Sequence, residues 1–272
     1  MSWRPIARRE FADVIEGRSM RIGMAFVAFV FVAGGYVAGG STSGDVATYA
    51  SQLSGLVPLV VTVFALLVGY RAIVADRAAG RLTLLLTLPH SRWDVLAGKF
   101  AARGTVIVGS ILAGLLVGGW LVSYPFGTVD GVTFLVYLGA TLLFALALFA
   151  ISLALSTLTA SPRRATVGAF AVIVAVLFWR NLRGTFARVL DALGLATPAG
   201  GLPDWALFVY GAEPSLVYDR IVEGFVVGRE TGTFLGPDAP WYLGGEVAVL
   251  LLFAWFVGPL VGGYRRFRGT DL

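Results

Sequence analysis

The chain has 272 residues, of which 57% are apolar and 14% charged, with a net charge of +5 and a mean hydropathy of +0.82. A soluble domain of this length would carry more apolar surface than one core can bury, so the composition predicts several membrane-spanning segments. The chain contains no cysteine and a single histidine, His90. This excludes thiol catalysis, Cys/His zinc sites and a Ser-His-Asp relay within the membrane.

The first 21 residues predict an amphipathic helix rather than a cleaved signal sequence. Acidic residues at Glu10, Asp13 and Glu16 do not suit the basic leader of a signal. The apolar residues recur at helical spacing, at Trp3, Ile6, Phe11, Val14 and Ile15. We expect this helix to lie in the cytoplasmic interface of the membrane.

Six apolar stretches approach the ~20 residues that a spanning helix needs. They cover about residues 22–39, 56–75, 104–123, 132–158, 165–179 and 242–262. We therefore predict an all-α polytopic membrane protein with six transmembrane helices, which form one membrane domain over residues 1–272. Residues 180–241 form the one sizeable segment outside the membrane, which several Pro and Gly residues divide into short helical pieces.

The basic residues predict the orientation, because Lys and Arg accumulate in short cytoplasmic loops. One side of the membrane receives 16 of the 21 basic residues. These are Arg4, Arg8, Arg9, Arg18, Arg21, Arg71, Arg77, Arg81, Arg92, Lys99, Arg103, Arg163, Arg164, Arg265, Arg266 and Arg268. We predict a multi-pass plasma-membrane protein with both termini in the cytoplasm. The charge of +5 reflects this bias and does not indicate nucleic-acid binding, which needs a soluble basic surface.

A basic, leucine-rich elbow at residues 76–99 joins the second and third spans. Gly80 offers a hinge, and residues 82–88 predict a short apolar helix that Pro89 ends, because proline lacks an N–H donor. Ser91 followed by Asp94 three residues later predicts a capping box that starts the next helix. The elbow is the place where a partner outside the membrane would act on the chain.

The elbow carries the pattern G-x-L-x-L-L-x-x-L-P-x-S-R at residues 80–92, followed by Gly98-Lys99. This pattern resembles the first cytoplasmic loop of ABC type-2 transporter permeases, and in that family the loop docks on an ATPase subunit. That family usually shows acidic residues where this chain has Ala78 and Thr83. Arg77, Arg81 and Arg92 would then supply the polar side of the docking contact with reversed sign. The resemblance implies that the coupling residues are Asp76, Arg77, Gly80, Arg81, Leu82, Leu85, Pro89, Ser91 and Arg92.

A second, looser resemblance lies before the last span. The segment Glu213-Pro214-Ser215-Leu216-Val217-Tyr218 resembles the N-P-x-x-A-Y pattern of these permeases, from which Glu213 and Val217 depart. The resemblance implies an external gate that includes Glu213, Pro214 and Tyr218.

The chain supplies no energy source of its own. The residues before Lys99 do not include the first glycine of a P-loop motif, so ATP binding through that motif is excluded. The first, third and fourth predicted spans contain no ionisable residue, whereas ion-coupled carriers place such residues near mid-bilayer. Glu246 lies about five residues inside the sixth span, and a hydrated carboxylate is favoured there over a substrate contact.

Three G-x-x-x-G pairs predict close helix packing, either within the chain or at a subunit interface. They are Gly35 with Gly39, Gly114 with Gly118, and Gly258 with Gly262.

We predict that the chain is the membrane-spanning permease subunit of an ATP-driven ABC transporter, and that this transporter is an exporter. The resemblance implies two ATPase subunits that carry ATP and Mg, and a second permease copy or a paralogue, while this chain holds no cofactor or metal and performs no catalysis. Two other interpretations of the sequence remain open. One is a membrane scaffold or maturation factor that holds a cytoplasmic partner, and the other is a gradient-driven secondary carrier.

Overall fold

The structure, a computed structural model, describes residues 3–41, 44–87, 91–124, 127–195, 197, 202–228, 234 and 239–269. Thirteen α-helices and no strand are found in these ranges. The first seven are α1 Arg4–Glu16, α2 Arg18–Gly39, α3 Val46–Leu53, α4 Leu56–Gly69, α5 Val74–Ala78, α6 Arg81–Thr87 and α7 Arg92–Val122. The others are α8 Gly131–Leu158, α9 Pro162–Trp179, α10 Arg183–Ala192, α11 Asp204–Tyr210, α12 Pro214–Val222 and α13 Gly245–Arg268.

Six helical runs are long and apolar enough to cross a membrane, which confirms the predicted all-α, six-span class. They are Arg18–Gly39, Leu56–Ala78, Arg92–Val122, Gly131–Leu158, Pro162–Ala192 and Gly245–Arg268. Two differ from the sequence prediction in length. The third begins at Arg92 and not near residue 104, because the capping box at Ser91 starts the helix there. The fifth continues through a 3₁₀ turn at Arg180–Leu182 into α10.

Helices α2 and α7 pack closely along their length because glycines face each other across the contact. A Cβ atom added at Gly35 would overlap the backbone of Gly118, and one added at Gly114 would lie 2.8 Å from the Cα atom of Ala28. Two of the three predicted G-x-x-x-G pairs therefore pack within the chain. The third pair differs, since within the described residues no atom outside the helix's own backbone lies within 4 Å of a Cβ atom built at Gly258 or Gly262.

Helix α8 packs against α13 and α4, and its serines bond the backbone of the second span where that span is interrupted. Helix α4 ends at Gly69, and α5 resumes at Val74. The hydroxyl of Ser152 donates to the carbonyl oxygen of Leu66 at 2.7 Å, and the Ser156 hydroxyl accepts from the N–H groups of Ile73 and Val74. These bonds satisfy backbone groups that the interruption would leave without partners in the membrane.

The bundle has two distinct ends. We call one the basic end, because α1, the elbow, the start of α9 and the last turn of α13 meet there. Three contacts define it: Lys99 with Glu10, Arg71 with Thr166, and Arg92 with the carbonyl oxygen of Phe267. The N-terminal helix and the last turn of α13 share this end, as an even number of spans requires.

The opposite end is formed by α3, the second half of the fifth span and the segment from α11 to the start of α13. Three contacts define it: Thr128 with Gly44, Trp179 with Tyr210, and Arg180 with Asp219. Glu246 is exposed here in the first turn of α13, because residues Trp241–Leu243 form a 3₁₀ turn outside that helix. The prediction that placed Glu246 about five residues inside the span was therefore wrong in register.

Candidate functional site

A cluster of four charged side chains joins three separate elements at the basic end. The Nζ atom of Lys99 on α7 lies 2.8 Å from Oε2 of Glu10 on α1 and 2.6 Å from Oδ2 of Asp76 on α5. The guanidinium of Arg103, one turn further along α7, lies 2.6 Å from Oε1 of Glu10. We call these four residues the Lys99 cluster.

The Lys99 cluster is nearly closed to solvent. The side chain of Lys99 is 2% exposed, and those of Asp76 and Glu10 are 16% and 14% exposed. Burial of an ammonium group costs several kcal/mol unless charged partners compensate it, and two carboxylates do so here. Burial would raise the pKa of Glu10, but the charges and hydrogen bonds of Lys99 and Arg103 outweigh it, so that pKa lies below its usual value. Glu10 is therefore the charged partner that the cluster requires.

The backbone of each element brings its charged group to the cluster. Lys99 and Arg103 are four residues apart, so both point from one face of α7. Helix α1 approaches this face closely because Gly98 has no side chain, and a Cβ atom there would lie 2.9 Å from Ile6. Arg103 also donates to the carbonyl oxygen of Val68, at 2.5 Å, where α4 ends. The interruption between α4 and α5 thus lies directly beside the cluster.

The structure places the first turns of α7 in the predicted elbow within the third span, so from here on the elbow means α5, the turn at Gly80 and α6. Gly80 has φ +69°, a backbone conformation that favours glycine, and a Cβ atom added there would meet open space. Leu82 is fully buried in the core, Leu85 is half-buried, and the side chain of Arg81 is 65% exposed while pairing with Asp76 at 3.3 Å. Helix α6 therefore packs through Leu82 and exposes Arg81, which continues the ionic contact outward from Asp76.

The other predicted elbow residues bond within the chain. The guanidinium of Arg77 is directed to the carbonyl oxygen of Thr159, and that of Arg92 donates to the carbonyl oxygen of Phe267 at 2.5 Å. Ser91 and Asp94 form the predicted capping box at the start of α7. Pro89 lies outside the described residues. Of the three arginines proposed for a docking contact, Arg81 is thus the one that faces outward.

At the opposite end, the three predicted gate residues form the start of α12. Glu213 is the N-cap and accepts from the N–H groups of Ser215 and Leu216, while Pro214 occupies the first helical turn. Burial raises the pKa of Glu213 despite these hydrogen bonds. Tyr218 is buried, stacks on Phe144 with ring centroids 4.9 Å apart, and has its hydroxyl 3.1 Å from that of Thr141 on α8.

A buried arginine that sequence analysis missed holds this segment in place. Arg220 is 1% exposed, and its guanidinium donates to four backbone carbonyl oxygens. They belong to Gly211, Tyr242, Leu243 and Gly244, at 2.9 to 3.3 Å. Helix α12 is thereby fixed to the turn that precedes α13. Burial lowers the pKa of Arg220 to about 10, so the group remains charged at neutral pH.

Sequence analysis also missed the roles of Glu10, Lys99 and Arg103. A signal was present, because Lys99 is the one lysine in the chain and forms an i, i+4 pair of bases with Arg103. Glu10 was noted only as evidence against a signal sequence. Nothing in the local pattern specifies that Glu10 and Lys99 meet, since 89 residues separate them.

Comparisons with known proteins agree with the fold. The chain matches the ABC-2 family transporter protein model over residues 4–272. A probable ABC transporter permease protein NosY from Stutzerimonas stutzeri is 32% identical over 115 residues, which are 40% of this chain and 41% of that protein. The protein of the same name from Pseudomonas aeruginosa is 32% identical over 114 residues, with the same two shares. The aligned segment thus covers about two fifths of each relative.

The family match covers nearly the whole chain, and the six long apolar helices explain how such a chain crosses a membrane. The protein belongs to the ABC-2 transporter family and is a multi-pass membrane protein.

Proposed function

We propose that the protein is the permease subunit of an ATP-driven ABC transporter, and that a separate ATPase subunit acts on it through the predicted loop at residues 76–99, in which most of the elbow lies. The observation that carries this proposal is the Lys99 cluster, which links the elbow to two other helices. Asp76 in the elbow bonds Lys99 on α7, and Lys99 bonds Glu10 on α1. A displacement of the elbow would therefore move two further elements.

The packing of the bundle suggests which helices move together. Helix α7 packs closely on α2 through the glycines described above, so a force on Lys99 would act on both helices. Helix α8 packs on α13 and α4 and bonds the elbow through Ser156. The elbow contacts both groups of helices, one through an ion pair and the other through hydrogen bonds. ATP-driven movement of the elbow would shift α2 with α7 relative to α8 with α13.

The assembly that this function requires has further members. Two ATPase subunits would bind ATP and Mg, and two permease chains, identical or paralogous, would enclose the pathway. The basic end would face the cytoplasm of a cell whose plasma membrane the protein spans. The direction we propose is export, and the segment from Glu213 to Tyr218 would close the external mouth.

The proposal is tested by reconstituting the chain with the P-loop ATPase encoded nearest to it and measuring ATPase stimulation. Gly80→Pro should abolish the stimulation, because proline cannot adopt φ +69° and lacks the N–H that bonds the Arg77 carbonyl. Leu85→Asp should do the same by placing a charge on the half-buried face of α6. Both variants should still insert into the membrane.

Two neighbouring positions at the opposite end provide matched controls. Gly194 also has φ +69° and open space around it, and Leu193 is 65% exposed, so Gly194→Pro and Leu193→Asp make the same chemical changes far from the elbow. We expect both controls to retain ATPase stimulation. If the elbow variants stimulate the ATPase fully, the docking site lies elsewhere. ATPase binding without flux under any energy source would favour a scaffold or maturation factor instead.

A further inference from the structure

A groove with apolar walls lies at the basic end between α7, α13 and the residue that precedes α1. Its volume is about 560 Å³. Phe100 and two small residues, Ala97 and Ala101, line it on the α7 side, and Leu260 is among the residues that line it on the α13 side. The two half-buried alanines leave the space that makes this a groove rather than a packed helix contact. Its dimensions and apolar walls suit an extended hydrocarbon chain.

Two arginines lie at one end of the groove. Arg265 and Arg268 both line it, are exposed, and lie three residues apart, so they share one face of the last turn of α13. Within the described residues neither side chain forms an ion pair. They differ in this from Lys99 and Arg103, whose charges are compensated by carboxylates. The groove therefore combines apolar walls with two positive charges whose partner is absent from this part of the chain.

Aromatic side chains place the charged end of the groove at the membrane surface. Trp3 and Trp93 both line it, and their side chains are 41% and 54% exposed. Trp93 makes an edge contact with Tyr264, with ring centroids 5.1 Å apart. Exposed tryptophans with a polar edge concentrate at the headgroup level of a bilayer. The arginines therefore lie at headgroup depth, and the apolar walls extend from there toward the acyl chains.

We propose that this groove binds one anionic phospholipid, with its phosphate at Arg265 and Arg268 and an acyl chain between α7 and α13. Charge complementarity selects this occupant, because basic pockets between transmembrane helices bind anionic headgroups. A second copy of the chain is a poorer occupant. A two-fold contact through this groove would bring the same arginine pair of each copy together, and like charges repel.

The test measures lipid retention, which needs neither an ATPase nor a transport substrate. The full chain is purified in detergent from vesicles of equal parts phosphatidylglycerol and phosphatidylcholine, and the lipids that remain bound are counted by native mass spectrometry. We expect one phosphatidylglycerol to be retained in preference to phosphatidylcholine. Arg265→Gln with Arg268→Gln should reduce that retention by about tenfold or more, since each basic residue near anionic lipid contributes ~1 kcal/mol.

Two further variants separate the charge from the groove. Arg163→Gln with Arg164→Gln removes two exposed arginines from the start of α9, at the same end but outside the groove, and should leave retention unchanged. Ala101→Trp fills the groove with both arginines in place and should also reduce retention. The proposal is overturned if phosphatidylcholine is retained equally, if Arg265→Gln with Arg268→Gln has no effect, or if a second copy of the chain is found to cover the groove. Arg265 and Arg268 are exposed, so their replacement should not disturb folding. The arginine variant therefore tests the proposal even if Ala101→Trp disturbs the packing.

Discussion

In the part of the chain that the structure describes, each end of the bundle contains one buried cation, and the two cations are compensated in different ways. At the basic end Lys99 is 2% exposed and contacts carboxylates on α1 and α5. At the opposite end Arg220 is 1% exposed, donates to four backbone carbonyl oxygens and lies over the ring of Phe234, 5.5 Å from its centroid, so no carboxylate compensates it among the described residues. A carboxylate is carried by a side chain on a separate helix and can move away with that helix. A ring of backbone carbonyls holds its cation only while the local chain keeps one conformation.

This difference assigns different mechanical properties to the two ends. The Lys99 cluster is a joint between three elements, each of which is attached to the bundle independently. The Arg220 contacts form a clamp that fixes α12 to the turn before α13. A planar guanidinium with five donors suits the clamp, whereas an ammonium group that bonds two carboxylates suits the joint. We therefore expect changes at the two cations to produce different defects.

The comparison first requires that the two ends face opposite compartments. The chain has no cysteine, so single cysteines can be placed at Ala79 in the elbow and at Leu193 after α10, both of which are exposed. We expect an all-or-none result with a membrane-impermeant maleimide: in intact cells it labels Leu193→Cys and not Ala79→Cys. Labelling of both from the same side would contradict the assignment of the basic end to the cytoplasm.

The largest graded effect is expected for Lys99→Met. This change leaves Glu10 and Asp76 without their shared cation in a nearly closed site, and removal of one partner from a buried ionic group costs ~3–5 kcal/mol. Thermal unfolding in detergent should show a correspondingly lower midpoint, and stimulation of the ATPase should be lost. An unchanged midpoint would contradict the burial of the cluster.

A smaller and purely structural effect is expected for Arg220→Met. Four backbone carbonyl oxygens lose their donor, which we expect to lower the stability by ~2–3 kcal/mol, since a buried unsatisfied polar group costs ~1–3 kcal/mol and some of these carbonyls can rebond. The clamp lies far from the elbow, so binding of the ATPase should persist. Arg220→Lys should restore only part of the stability, because an ammonium group cannot span the four acceptors. Loss of ATPase binding in Arg220→Met would contradict the separation of the two ends.

The smallest expected effect is the pH dependence of folding stability, which differs between the two ends. Burial raises the pKa of Asp219 to about 7, although Arg180 opposes the shift. A carboxyl with a raised pKa in the folded state favours the protonated form, so stability falls as pH rises from about 4 to about 7. Asp219→Asn should remove part of this loss, as measured by unfolding midpoints across that range. Glu10 has a pKa lowered from 4.5, so its stabilising contribution is full well above that pH and falls as pH drops through it, which is the opposite direction to the effect of Asp219.

Much of the architecture could be predicted from local patterns. The six spans follow from apolar stretches near the required length, and the start of α7 follows from Ser91 and Asp94, which lie within one helical turn of each other. The turn at Gly80 also rests on a local property, since its φ of +69° is a conformation that glycine adopts readily. These features need no information from distant residues, and the structure contains the Gly80 turn and the capping box where the sequence predicts them, whereas the third, fifth and sixth spans differ in their bounds.

The candidate site could be predicted only in part. Asp76 was identified, but its partner Lys99 and the bridging Glu10 depend on how α1 and α5 pack against α7. Arg220 was missed because its acceptors are backbone carbonyls, three of them in a turn more than twenty residues away, and no side-chain pattern marks them. The resemblance includes Leu82 among the coupling residues, and the structure places its side chain fully buried within the chain. The packing of neighbouring helices, and not the local spacing, decides that the face of α6 that carries Leu82 is buried.

The central claim is that the Lys99 cluster connects the elbow to α7, and Lys99→Met combined with Asp76→Asn tests it most directly. This pair removes the connection but leaves no unpaired charge buried, since Glu10 keeps its contact with Arg103 at 2.6 Å and Arg81, which loses Asp76, has a side chain that is 65% exposed. Replacement of a whole buried ion pair by neutral groups is often nearly neutral for stability. We predict an unfolding midpoint close to that of the unaltered protein together with loss of ATPase stimulation. Recovery of both stability and stimulation would show that the cluster serves folding alone and would contradict the account.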